Sequence, residues 1–415
     1  LLVIGAILLA GALAWLLLPR SDRRPGDARA IEALKTLPYA TWTEVADDDR
    51  LKNGVVLHDP ERAWQGVNLY SSENEPGAFL IDMRGNVRLE LHDTRAEPES
   101  WKLIEPAGPE TFLVLANDGA ILHVDARSRV LAEHKRTFHH DLELADDGLL
   151  YVIDRRIREV PPLAPHKPVR DDHLVALDRG GEPVLEISSV DLLLAEPALL
   201  EVAARQRRPL FDREVDIFHT NTISRLPRDV LRGTATVFER GDLLICWRNL
   251  DTVAVVDPDG PALRWYWGAG EIEWPHNPTL TDDGNLLIFD NGSFRGWSRV
   301  IELDPVSREI VWEYRGEPVE SFFSSSRGSA QRLPNGNTLI TDSMAGRVVE
   351  VTSEGEIVWE FFEPRTRRRW WRTERATIYR MTRLPRWPLP EETLPEEPLP
   401  EEPQPAATLP AAASR

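Results

Sequence analysis

Three histidines stand at comparable points of recurring segments: His140 in "HHDLELADDGLLYVID", His219 in "HTNTISRLP" and His276 in "PHNPTLTDDGNLLIFDNGSFRG". With the turn glycines Gly148 and Gly284 superposed, His140 and His276 both lie eight residues before the glycine. His219 fits the slot by its own pattern, His-x-Asn-x-Ile. Imidazoles that converge can serve as nucleophile and general acid or base, or as metal ligands. Arg295 follows the second strand after His276, where a guanidinium would offer a fixed positive fork to a sulfate, phosphate or carboxylate. Arg299 is a second candidate, although Arg347 holds its place in the next copy, and Asn277 adjoins His276. In the last copy the slot holds Gly328, with Arg327 beside it.

The segments that must position these residues are short, rich in Val, Ile, Leu and Trp, and separated by Asp-Gly, Asn-Gly and Gly-Gly turns, the pattern of strands and hairpins. The clearest internal copies are "RVIELDPVSREIVWEY" from Arg299 and "RVVEVTSEGEIVWEF" from Arg347. Weaker copies begin at Thr252, His173, Ala120 and Ala78. Their turn-entry residues, Asp82, Asp125, Asp178, Asp257, Asp304 and Thr352, are spaced by 43, 53, 79, 47 and 48 residues. Four of the five intervals suit a propeller blade of about 40–50 residues. The long interval contains "SSVDLLLAEPALLEVAARQRR", a capped, helix-favouring insert interrupted by Pro197. Two hairpins per unit make four antiparallel strands, and six units predict an all-β, six-bladed β-propeller over 61–363. Trp265, Trp312 and Trp359 recur at one place in successive copies and are expected to pack between blades.

The chain carries 68 acidic and 49 basic residues, a net charge of −19 that excludes nucleic acid as an expected partner. Its one cysteine, Cys246, excludes an internal disulfide and a cysteine-ligated metal cluster. The first eighteen residues, "LLVIGAILLAGALAWLLL", hold no charge and are followed by "PRSDRR". That run just reaches the roughly 20 residues a bilayer core requires. Residues 1–19 are therefore expected to be an N-terminal transmembrane helix or a signal segment, leaving the body of the chain membrane-anchored on the periplasmic or extracytoplasmic side. Residues 20–60 are expected to be a linker. Beyond the propeller, 364–388 hold nine arginines, suited to anionic lipid headgroups or to a strap across an acidic face. Residues 389–415 are Pro/Glu-rich and predicted to be disordered.

The combination of HHD, HTN, PHN followed by FDNG and an arginine, and the closing "GSAQRLPNGNTLI…VVEVTSEGEIVWE", resembles the bacterial arylsulfotransferases over about His139 to Glu363. The resemblance implies a membrane-anchored sulfotransferase that moves a sulfuryl group from an aryl sulfate to a phenol through a sulfohistidine, with no nucleotide donor, cofactor or metal. It also implies that His140, His219, His276 and Arg295 are catalytic, with Asn277, Arg299 and Arg327 binding substrate. The family's site includes a late histidine, and this chain has none after His276. A propeller that binds a ligand or an envelope partner without transfer is the second reading. A quinoprotein-like or metal-dependent propeller is the third, although the slots add only Asp141, Thr220 and Asn277 to the histidines.

Overall fold

The computed structural model describes residues 41–205 and 213–385, and the chain is all-β with one short helical insert. Six sheets of antiparallel strands carry the fold, the third joined by one short parallel strand, Val215–Asp216. In the second, strands Trp101–Gly108, Thr111–Ala116, Ala120–Asp125 and Val130–Lys135 pair in sequence order. The third, fourth and fifth begin with Phe138–Leu144, Thr220–Arg225 and His276–Leu280, and they too pair outward in chain order. Each sheet's first strand packs against the first strand of the next, and the sixth sheet's, Ser329–Arg332, returns to the first sheet. The sheets thus close in a ring with their first strands around a common axis.

Closure uses both ends of the described chain. The innermost strand of the first sheet is Ile378–Leu384, paired with Val67–Ser72, while Gly54–His58 adds a fifth strand outside Ile357–Phe362 on the sixth sheet. The ring therefore extends past the expected bounds of 61 and 363. The physical reason is that Arg380 and Arg383 sit inside the ring and find their partners there. Arg383 is fully buried against Glu350 and Asn68, and Arg380 meets Asp141 and Glu105. An arginine-rich stretch reads as surface only when its carboxylate partners, here far away in sequence, are unseen.

The expected packing tryptophans seal sheet to sheet. The indole N–H of Trp265 donates to Pro305 O at 2.9 Å, that of Trp312 to Ser353 O at 2.8 Å, and that of Trp359 to Met83 O at 2.9 Å. In each case the acceptor is the residue after the next sheet's turn-entry residue, so one amphipathic side chain fills the gap and ties the turn. The turn-entry aspartates fold their own turns: Asp82, Asp125, Asp178, Asp257 and Asp304 each accept a backbone N–H two residues on. The insert forms helices α1 (Ser189–Leu194), capped by Ser188, and α2 (Pro197–Arg205), which starts at the proline. Among the described residues no helix is long and apolar enough to cross a membrane. The expected anchor (1–19) and the expected Pro/Glu-rich tail (389–415) lie outside the described residues.

Candidate functional site

The histidines converge at one end of the ring. The rings of His140 and His219 are 4.7 Å apart edge to face, and His139 lies 5.0 Å from His140. Counted back from the last strand pair before the turn (Leu144 with Leu150, Arg225 with Leu243, Leu280 with Leu286), His140 and His276 stand four residues away and His219 six. His219 therefore sits just ahead of its strand rather than in the shared slot. All three first strands slip register here, and the resulting bulges aim side chains at the axis. His140, His219, Asn277 and Arg327 all have left-handed backbones, with φ between 46° and 65°, a conformation uncommon for residues other than glycine.

His276 is held in one tautomer. Its Nδ1 lies 2.6 Å from Asn291 Oδ1 and 3.0 Å from Trp274 O. Asn291 Nδ2 donates to Ser324 O and Arg327 O, which fixes Oδ1 as the acceptor and places the imidazole proton on Nδ1. Nε2 then keeps its lone pair and accepts the Arg327 N–H at 3.3 Å. Burial and the Arg248 charge push the His276 pKa down to about 3, so the ring is neutral at any ordinary pH. His219 Nδ1 lies 2.6 Å from Asp216 Oδ2, and burial with Arg248 lowers its pKa to about 4 against the opposing pull of Asp216. Burial alone would raise the Asp216 carboxyl, but His219 beside it holds it well below the usual range. Burial, then His219 and His139, hold His140 well below the ordinary imidazole value.

Arg248, absent from the expected set, is the cation common to these rings. It follows Leu243–Trp247, the second strand of the fourth sheet, lies mostly buried over the Trp274 ring at 4.5 Å, and donates to Asn249 Oδ1. Its sequence signal was position: it occupies in the fourth sheet the place that Asn291 occupies in the fifth, immediately after the second strand. Attention to the starts of first strands passes over it.

Arg295 lies on the loop after Asp290, as expected, but is engaged there. Its Nη1 donates to Asp290 Oδ2 at 2.9 Å, its Nε to Trp297 O, and its guanidinium stacks on Trp297. Arg299 bonds the same Asp290 oxygen at 2.8 Å, while Arg347 pairs with Glu360, consistent with blade structure. Asn277 spans sheets: its N–H donates to Thr222 Oγ1, and its Oδ1 accepts the Ala330 N–H. Arg327 is buried, bonding Glu73 and Thr377 through its guanidinium. Gly328 has φ 128°, and a Cβ there would lie 2.5 Å from the Phe289 ring. This backbone therefore has no room for a histidine at that slot.

Below the mouth a cavity of about 300 Å³ runs along the axis, lined by Glu105, Asp141, Glu143, Thr222, Asn277 and Arg380 among others. Burial pushes Glu105 and Glu143 up to about 7 and raises Asp141 as well. Among the described residues no three His, Cys, Asp or Glu side chains are grouped to hold a metal ion.

Residues 112–364 match the arylsulfotransferase (ASST) family. No curated protein matches the sequence. Solved structures similar to the chain include a protein of unknown function from Bacteroides caccae (12% identity, 71% of this chain and 93% of that one, TM-score 0.47). The WD40 β-propeller domain of Doa1 matches at 12% identity over 78% and 87% of the two chains, TM-score 0.43. BamB from Moraxella catarrhalis matches at 13% over 74% and 76%, TM-score 0.32.

Proposed function

We propose, proceeding from the fact that this chain belongs to the arylsulfotransferase family, that its six sheets are the blades of a propeller whose histidine-lined mouth moves a sulfuryl group from an aryl sulfate to a phenol. The observation that carries the proposal is His276: a neutral imidazole with its proton locked on Nδ1 by Asn291 and Trp274, and its Nε2 lone pair in a cationic setting. Nε2 attacks sulfur, the N–S bond forms as the S–O bond to the aryl group breaks, and the leaving group departs as phenolate. Arg248 and the Arg327 amide, which meets Nε2 in the free protein, neutralise the sulfonate oxygens. In the second half the acceptor phenol gives its proton to His219, whose imidazolium Asp216 stabilises transiently and which then releases the proton to water. The phenol oxygen then takes the sulfuryl group and the N–S bond breaks. Arg295 acts at one remove, ordering the loop after Asp290. Residues 1–18, an uncharged apolar run just long enough for a bilayer core, support a membrane anchor for the propeller.

The test is release of a chromogenic phenol from an aryl sulfate in the presence of a phenolic acceptor. His276→Ala is expected to lower turnover at least ~10³-fold. Protein quenched with donor alone is expected to carry the sulfonate on the peptide containing residue 276. An absence of turnover across several donors sinks the enzyme proposal. One observation favours a ligand-binding relative instead: the sixth sheet offers Arg327 and a Phe289-filled Gly328 slot where the family has a histidine. That alternative predicts saturable binding of aryl sulfate with no phenol released.

A further inference from the structure

The hairpin Thr366–Arg369 and Arg372–Ala376 stands outside the ring, in a small sheet completed by Trp42–Glu44. Its tip is Trp370 and Trp371, 81% and 65% exposed, with ring centroids 5.5 Å apart. Two adjacent exposed tryptophans are unusual in a chain whose other large aromatic side chains are mostly packed. Arg367, Arg368 and Arg369 flank them and are exposed. Arg367 pairs with Glu374 and stacks on Trp42, and Arg372 pairs with Glu44, whereas Arg368 and Arg369 meet no carboxylate among the described residues. A local positive charge thus projects from a protein of net charge −19.

The placement of the hairpin narrows the partner. Trp42, on the strand that completes its sheet, is 24 positions from Leu18, the end of the uncharged apolar run. The other end of the hairpin leads through Thr377 into the innermost strand of the first sheet. Thr377 Oγ1 donates to Glu73, Glu73 binds Arg327, and the Arg327 amide meets His276. The hairpin therefore rises from the histidine end of the ring, its tip roughly 20 Å along the strand from Thr377 at about 3.3 Å per residue.

We propose that the Trp370–Trp371 hairpin docks on an anionic phospholipid surface, the indoles entering the interface and Arg368 and Arg369 meeting phosphate headgroups. Tryptophan settles at the headgroup level because it is apolar in body and has one N–H donor, and arginine forks bind phosphate bidentately. Docking there turns the histidine end of the ring toward the bilayer. The inference stands apart from sulfuryl transfer, since it rests on the hairpin's exposure, charge and place.

The experiment uses the full chain with Trp371→Cys carrying an environment-sensitive fluorophore. The native Cys246 is buried, and burial raises its thiol well above the usual value, so it stays unlabelled in the folded protein. On phosphatidylcholine vesicles containing phosphatidylglycerol the emission is expected to shift to the blue. Adding Arg368→Glu and Arg369→Glu is expected to raise the concentration of these vesicles needed for half the shift at least about tenfold. Emission that is the same with and without phosphatidylglycerol overturns the proposal. So does a shift produced only by single-stranded nucleic acid or an acidic protein. The label reports the hairpin locally, so neither anchoring by residues 1–18 nor absence of turnover alters the outcome.

Discussion

The axis of the ring has two levels, and burial acts on them with opposite chemical results. At the mouth it strips protons from imidazoles, bringing His276 to about 3 and His219 to about 4. Deeper in, it keeps protons on carboxyls, bringing Glu105 and Glu143 to about 7. Both levels are thereby driven toward neutral side chains, as a low-dielectric interior requires. What differs is what the neutral group offers: a lone pair at the mouth, an O–H below it. Burial alone makes neither level reactive. The mouth gains its chemistry from fixed partners, Asn291 orienting His276 and Asp216 orienting His219, with Arg248 supplying charge among them.

The sharpest way to break this comparison is to remove that charge. Arg248→Ala is expected to lower turnover of an aryl sulfate by roughly 10²–10³, the range for loss of one oxyanion-stabilising group. Because Arg248 depresses both His219 and His276, their pKa values should also rise, which histidine ring NMR resonances followed against pH would report. Unchanged titration with lost activity would separate a substrate contact from the electrostatic role.

Next in size is the sixth sheet. Gly328→His puts an imidazole into the sixth sheet's slot, yet its Cβ would lie 2.5 Å from Phe289 on a backbone at φ 128°. The variant is expected to lose on the order of 3 kcal/mol of stability through overpacking and backbone strain, measured by denaturant unfolding, with no gain in turnover. A stable variant with raised turnover would show that the slot adapts and that Gly328 is the lesion separating this chain from its family.

These two positions also mark how far the sequence was legible. Repeats with Asp-led turns and a recurrent tryptophan exposed the sheets, because each unit repeats the same local physics, and His140 and His276 fell into register for the same reason. Arg248 was hidden by lying after a second strand, in a sheet whose hairpin is interrupted by the extra strands Val230–Arg232 and Ala235–Phe238. The closing strand Ile378–Leu384 was hidden differently. Its alternation is carried partly by arginines, and these become interior residues only once Glu350, Asn68, Glu105 and Asp141 arrive from distant parts of the chain. Ion pairs of long sequence separation leave no periodic trace.

The two levels also predict opposing pH dependences of stability. The histidines bind protons in the unfolded chain below about 6.5 but not in the fold until about 3–4, so their contribution is lost as pH falls through that window. Glu105 and Glu143 hold protons in the fold up to about 7, while unfolded carboxyls release them near 4.5, so their contribution is lost as pH rises from about 4.5 to 7. Glu105→Gln with Glu143→Gln removes only the second limb. Relative to the parent, the double variant should gain a few kcal/mol, up to about 5, between pH 5 and pH 8 by chemical denaturation. A constant difference across that range would mean that water reaches the carboxyls and the deeper level is not a neutral one.

The smallest expected effect falls on Arg295, and its size discriminates between a group at the mouth and one behind it. Its guanidinium is shared among Asp290, Trp297 O and the Trp297 ring, and Arg299 holds the same Asp290 oxygen at 2.8 Å. A substitution that keeps the charge but loses the fork, Arg295→Lys, should cost about 1 kcal/mol of stability and less than about tenfold in turnover. Because Asn291 follows Asp290 directly, the turnover loss should appear in kcat and leave the donor KM nearly unchanged, as expected when His276 is less firmly oriented. A rise in KM with kcat intact would instead place Arg295 on the sulfonate itself, and the cationic part of the mouth would then extend around the rim from Arg248 to the loop after the fifth sheet's second strand.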